Sequence, residues 1–233
     1  MTNETHEPVP VYLEMGQKRV FACAVDWPGW SRGGRDEAGA LAALLDHGPR
    51  YAKAVAATEL PLAAPASVDG FAVVERLPGS SGTDFGAPLS MPAADNRPFD
   101  AAELERATAL LSAIWAAFDT AAESAAGVAL RKGPRGGGRD LDGVVAHVRG
   151  ADAGYLSRLG RKPPQGISDP AEEHAAVRRA MLDGLAAGAR GELPAQGPRG
   201  GKIWPPRFFV RYVAWHTLDH AWEIEDRAIW DAG

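Results

Sequence analysis

A change of pattern across Pro78 to Pro98 divides this chain. That stretch is rich in Gly, Ser, Pro and Ala and has no apolar period, the composition of a linker or irregular loop. Before it, Val11 to Leu13 and Arg19 to Val25 are short runs rich in Val, Tyr, Phe and Leu around Met15-Gly16-Gln17, which reads as a hairpin. The pair ends at Asp26-Trp27-Pro28-Gly29, a turn by composition, and a break follows at Gly33-Gly34. Asp36 to Asp46 then spaces Ala40, Leu41, Leu44 and Leu45 on one helical face and stops at His47-Gly48-Pro49. Phe71 to Leu77 is a third strand. The expected N-terminal unit is therefore α+β, in the order strand, strand, helix, strand, over 1–78, with 79–98 as the linker.

Beyond the linker the signals are helical. Asp100 with Glu103 has the spacing of a capping box, and Phe99 and Leu104 are placed as its hydrophobic staple, for a helix running to about Ala125. A second helix is expected over Asp140 to Leu159. Asp169-Pro170-Ala171-Glu172 supplies cap, first-turn proline and glutamate for a third. The fourth starts behind Pro205-Pro206 and runs to about Arg227. Four helices joined by Gly- and Pro-rich loops predict an all-α four-helix bundle over 99–233.

A length of 233 residues with 45% hydrophobic content suits two small domains. The net charge of -5 gives no general attraction to a polyanion, so nucleic acid is not an expected partner. No apolar stretch approaches the roughly 18 uninterrupted residues of a spanning helix, so no membrane is expected either. The single cysteine, Cys23, cannot form an internal disulfide, and MTNETHEPVP lacks the pattern of a signal peptide. A reducing cytoplasm is the expected location, and Cys23 reads as a small buried hydrophobe.

Three of the six histidines fall inside predicted helices at interior-looking positions. His216 and His220 are four apart, which stacks their rings on one face, one turn apart. His147 follows Val144 and Val145 in the second helix, and Gly143, Gly150 and Gly154 share its face. Glycine in a helix costs about 1 kcal/mol against alanine, so several on one face suggest space kept for close packing or a ligand. At 1.5 Å per residue, His147 lies roughly 10 Å from its helix start and His220 roughly 10 to 12 Å from its helix end, so antiparallel neighbours would be level. Parallel neighbours would still bring His147 within about one turn of His216, and the sequence does not choose. Three neutral imidazoles would leave coordination positions open, as catalytic sites do, and both zinc and nickel suit them. The same spacing also fits two unrelated histidines, with Asp219 in a salt bridge. Asp219 and Glu223, three and seven residues after His216, share the face and are candidate bases or supports for the ligands, or partners for Arg149 or Arg227. His47 at a helix end, His174 in an exposed-looking first turn and His6 in the tail need only structural or solvent roles.

Near-identical strings, GPRGGG at Gly133 to Gly138 and GPRGGK at Gly197 to Lys202, precede the histidine-bearing helices. Arg131, Lys132 and Arg135 in and beside the first are candidates for holding a carboxylate or phosphate of a thiol cofactor or substrate. Ordinary solvated loop composition explains them at least as well. Trp204, Trp215 and Trp222, with Phe208 and Phe209, read as core rather than as a stacking platform.

From about residue 100 to Arg227, with VVAHVRGAD around His147 and WHTLDHAWEIEDR around His216 and His220, the chain resembles the DinB/YfiT-like superfamily of metalloenzymes. The resemblance implies a four-helix bundle with His147, His216 and His220 on a divalent metal. It also implies a crossover at Gly160 to Asp169 that makes helices two and four antiparallel. Extended, those residues reach about 33 Å, barely the length of the helices. Some members transfer low-molecular-weight thiols to electrophiles, so the implied function is activation of a thiol or water nucleophile on a small-molecule substrate, as a thiol S-transferase or hydrolase. KRVFACAVDWPGW, GRDEAGALAAL and FAVVERL together resemble the HicB-like fold, with Trp30 where a small residue is more usual. That likeness supports the alternative of a non-catalytic protein whose first unit docks a partner. A homodimer is the assembly considered.

Overall fold

The computed structural model describes residues 7–132 and 138–230. Its contacts divide into two units, Met1–Arg97 and Pro98–Gly233, each described by itself.

The first unit is built on a four-stranded sheet of order β3-β2-β1-β4, from β1 (Val9–Met15), β2 (Val20–Ala24), β3 (Ser31–Gly34) and β4 (Phe71–Pro78). β1 pairs antiparallel with β2 and parallel with β4. Helix α1 (Glu37–Asp46) and helix α2 (Gly48–Val55) follow β3. Two of these elements depart from the expected order. Gly33-Gly34 reads as a break, yet Ser31 to Gly34, with little strand propensity, pairs with Val20 to Cys23, and Gly34 lets α1 close on the sheet. A Cβ on Gly34 would lie 2.2 Å from the Ala40 backbone nitrogen. Gly48-Pro49 reads as a stop, yet it opens α2, where a proline in the first turn loses no hydrogen bond.

β2 is buried at every residue rather than alternately, because both faces of the sheet are covered. α1 approaches the face of Gly34 and its cross-strand partner Val20, which Val11, Leu13, Ala22 and Ala24 share. On the other face, Tyr12, Phe21, Cys23 and Val25 form a core cluster closed by Leu77 and Ala94. The expected linker is therefore mostly part of this unit, which extends to Arg97. Its short helix α3 (Ser81–Phe85) carries a capping box from Ser80 and Thr83. Glu14 on β1, fully buried, accepts hydrogen bonds from the Thr83 hydroxyl, from Leu89 N at 3.1 Å and from Ser90 N at 2.8 Å.

Trp30 anchors the opposite side. It is 0% exposed, stacks on Tyr51 at 5.5 Å, meets Phe71 edge-on at 5.7 Å and donates its Nε1–H to Leu44 O at 2.8 Å. Trp30→Ala is expected to cost about 3 to 5 kcal/mol, read as a lowered urea midpoint of this unit's transition. An unchanged midpoint would remove Trp30 from the core account.

The second unit holds four long helices: α4 (Ala101–Ser124), α5 (Leu141–Tyr155), α6 (Pro170–Ala189) and α7 (Pro206–Arg227). α5 continues as a 3₁₀ turn over Leu156–Leu159. The Asp100, Asp140 and Asp169 side chains cap α4, α5 and α6 by accepting first-turn N–H groups. Glu103 serves a different end from the expected box, pairing with Arg207 Nη1 at 2.6 Å.

Contacts fix the helix directions. Arg207, at the start of α7, meets Glu103 and Pro98 O beside the start of α4, and Ile229 N meets Ala129 O beyond both ends, so α4 and α7 run parallel. Arg227 at the end of α7 meets Arg139 O ahead of α5, while Tyr155 at the end of α5 meets Tyr212, so α5 and α7 are antiparallel. Asp152 pairs with His174, and Leu159 abuts Gly184, which makes α5 and α6 parallel and requires 160–169 to run back along them. Phe118, Ala121, Val144, Val148, Ala221 and Ile224 form a core shared by α4, α5 and α7. α7 buries 13 of its 22 residues, so it is enclosed on most sides, which is where Trp215, Trp222, Phe208 and Phe209 go. Among the described residues no helix is long and apolar enough to cross a membrane.

Candidate metal centre

Antiparallel packing of α5 on α7 brings His147 level with the His216 and His220 pair. Each ring offers one nitrogen, and these three atoms lie within 4.8 Å of one another. His147 Nε2 and His216 Nε2 are 3.2 Å apart, and the ring centroids are 5.2, 4.8 and 4.7 Å from one another. Two nitrogens bound tetrahedrally to one ion at about 2.0 to 2.1 Å stand about 3.3 Å apart, so the rings need only small movements to share one. The three histidines lie close together and could hold a metal ion.

The surroundings of His216 and His147 favour their neutral forms. Burial lowers the His216 pKa to about 3, with the neighbouring His220 and His147 adding to the effect. Burial is also the largest cause of the lowered pKa of His147, followed by His220 and Arg139. Neutral imidazole is the form that offers a lone pair to a cation. A stability consequence follows for chelator-treated protein. The unfolded His216 ring protonates below about pH 6.5 while the folded one resists to about 3, so unfolding takes up a proton and stability falls as pH drops through that window. Between pH 6.5 and 5, loss approaching about 2 kcal/mol is expected from this ring, and His216→Leu should flatten the slope. Denaturant titrations of both proteins across that range measure it, and equal slopes would contradict it.

Glu223 orients one of the three rings. His220 Nδ1–H donates to Glu223 Oε2 at 2.7 Å, which leaves Nε2 for the centre, and Arg227 Nη1 pairs with the other carboxylate oxygen. The hydrogen bond from His220 is the largest cause holding the Glu223 carboxyl below its usual range, with Arg227 acting in the same direction. Arg227 also donates to Arg131 O at 2.9 Å and Arg139 O at 2.6 Å, tying both flanks of the segment 133–137 to α7. His216 Nδ1, by contrast, is buried with no hydrogen-bond partner among the described residues.

The remaining candidates divide. Asp219 is partly buried on α7 but does not join the three histidines that could hold an ion. Arg131 directs Nη2 to Asp226 O at 2.6 Å, Lys132 is exposed, and Arg135 lies outside the described residues. Gly150 and Gly154 face open space, with nothing within 4 Å of an added Cβ, so they serve no close helix contact. Gly143 sits in the α5 cap, where a Cβ would meet Asp140 Oδ1 at 2.9 Å.

His174 takes the structural of its two expected roles, but it is buried where its first turn looked exposed. It is 7% exposed, and its Nε2 pairs at 2.8 Å with Asp152, which is 0% exposed. The first-turn position on α6 hid this, because parallel α5 and α6 bring Asp152 alongside and no local signal announces that pairing. No family model matches the chain, and no curated protein and no solved structure matches it either.

Proposed function

We propose that this chain is a metal-dependent protein of the DinB/YfiT-like kind, whose second unit is a four-helix bundle that binds one zinc or nickel ion through His147, His216 and His220. The activity proposed is activation of a thiol or water nucleophile, as in a thiol S-transferase or hydrolase. The observation carrying this reading is the convergence of three ring nitrogens, from two separate helices, within 4.8 Å. A divalent ion with vacant positions, when bound, acts as a Lewis acid that makes such a nucleophile acidic enough to ionise near neutral pH. The chain's own residues orient and support. Glu223, with both oxygens engaged, is a positioning residue for His220, and Arg227 fixes Glu223 to the loop flanks. Asp219 is the remaining base candidate.

The test is the metal content of protein purified without chelator, expected near one ion per chain. Metal-free protein that also refuses added zinc and nickel would defeat the reading. Glu223→Gln weakens the support of His220 without removing a ligand, so metal affinity is expected to fall about 10- to 100-fold while the fold is kept, as competition with a chromophoric chelator would show.

A second reading is favoured by one observation in the first unit. Phe85 is 90% exposed and Val74, on the edge strand β4, is 60% exposed, both large apolar side chains left to solvent. A HicB-like unit docking a protein partner through Phe85 would account for so exposed a ring. Recovery of a stable partner lost in Phe85→Ser, together with an empty histidine cluster, would favour this non-catalytic reading.

A further inference from the structure

We propose that a cavity walled by α4, α5 and α6 binds a small organic carboxylate with an apolar body. The cavity has a volume of about 290 Å³. That is the lower end of the roughly 300 to 1,000 Å³ of small-molecule sites, so its occupant is small. Phe118, Ala122 and Val145 supply apolar wall, while Arg149, His174 and Arg178 supply polar groups.

These polar groups are unequally satisfied. Arg178 is held by Asp119 through two hydrogen bonds of 2.6 and 2.9 Å, and its guanidinium lies 5.4 Å from the Trp115 ring centroid. His174 is held by Asp152. Arg149 has no such partner: its Nε is buried and unbonded, and among the described residues no carboxylate pairs with it. Arg178 Nε is also buried without a partner. Orphaned groups gathered around one cavity are costly unless something completes them.

Charge selects the ligand. The Arg178–Asp119 pair neutralises itself, so Arg149 is the cation in the lining with no carboxylate on it, and a planar guanidinium matches a carboxylate through two parallel hydrogen bonds. Glu123 is exposed at the cavity lining and Asp119 stands beside it, which disfavours a multiply charged anion such as phosphate. The apolar wall then takes the ligand's body. This site is separate from the histidine cluster. Val145 and Arg149 are one turn apart on α5, whereas His147 is two residues from each and so roughly 200° around the helix.

Hexanoate serves as probe, titrated into wild-type protein and followed by ligand-observed NMR, with 1-hexanol as its uncharged counterpart. Saturable hexanoate binding in the millimolar range or tighter is expected, with hexanol and Arg149→Gln each weakening it about tenfold or more. Arg149→Lys, which keeps the charge without the fork, should retain part of the affinity and serves if Arg149→Gln does not fold. His216→Ala should bind hexanoate as wild type does, so failure of the metal reading leaves this site standing. Absence of binding to wild type, hexanol binding equally well, unchanged affinity in the folded Arg149 variants, or loss of binding in His216→Ala would each overturn it.

Discussion

His216→Ala is expected to abolish stoichiometric metal binding. The variant removes the most buried of the three rings, 7% exposed, whose nitrogen stands 3.2 Å from that of His147. Two imidazoles remain, and the loss should exceed the roughly 10- to 100-fold that removal of a supporting partner costs. The variant also removes the ring whose burial without a Nδ1 partner disfavours the metal-free fold. Lost affinity with undiminished thermal stability of the metal-free form would therefore separate a ligand from a structural histidine. Equal zinc or nickel affinity in wild type and variant would contradict the assignment.

Glu14→Ala is the second large effect. Removing this buried carboxylate deletes the common acceptor of the Thr83 hydroxyl and the Leu89 and Ser90 N–H groups, leaving them unpaired. A loss of about 3 kcal/mol or more is expected, because a buried network is broken rather than one exposed bond. Residues 79–92 should then become the first site of limited proteolysis. Glu14→Gln keeps the shape and one acceptor and should fall between. An unchanged urea midpoint and an uncut segment in Glu14→Ala would show that Glu14 does not fasten it.

These residues also mark what the sequence made legible. The long helices announce themselves through Asp100, Asp140, Asp169 and Pro206, because caps and first-turn prolines act locally. His147, His216 and His220 could be nominated because spacing on one helix is local, and the packing of α5 on α7 then supplies their meeting. β3, the role of 79–97 as sheet cover and the His174–Asp152 pair were hidden for the opposite reason. Ser31 to Gly34 is a strand only because β2 lies beside it, and a Gly- and Pro-rich segment is ordered only because Glu14 reaches it. Arg149 read only as a partner for Asp219 or Glu223, and the structure gives Glu223 to His220 and Arg227 instead; its place beside a cavity between α4, α5 and α6 depends on how the helices pack, which no local pattern shows.

The central claim is that three imidazoles share one ion. X-ray absorption of chelator-treated protein reloaded with one equivalent of zinc or nickel measures this directly. The account predicts a first shell containing about three imidazole nitrogens near 2.0 to 2.1 Å, reduced to two in His147→Ala. Wild-type protein that takes up no ion, or a first shell unchanged in that variant, would contradict it.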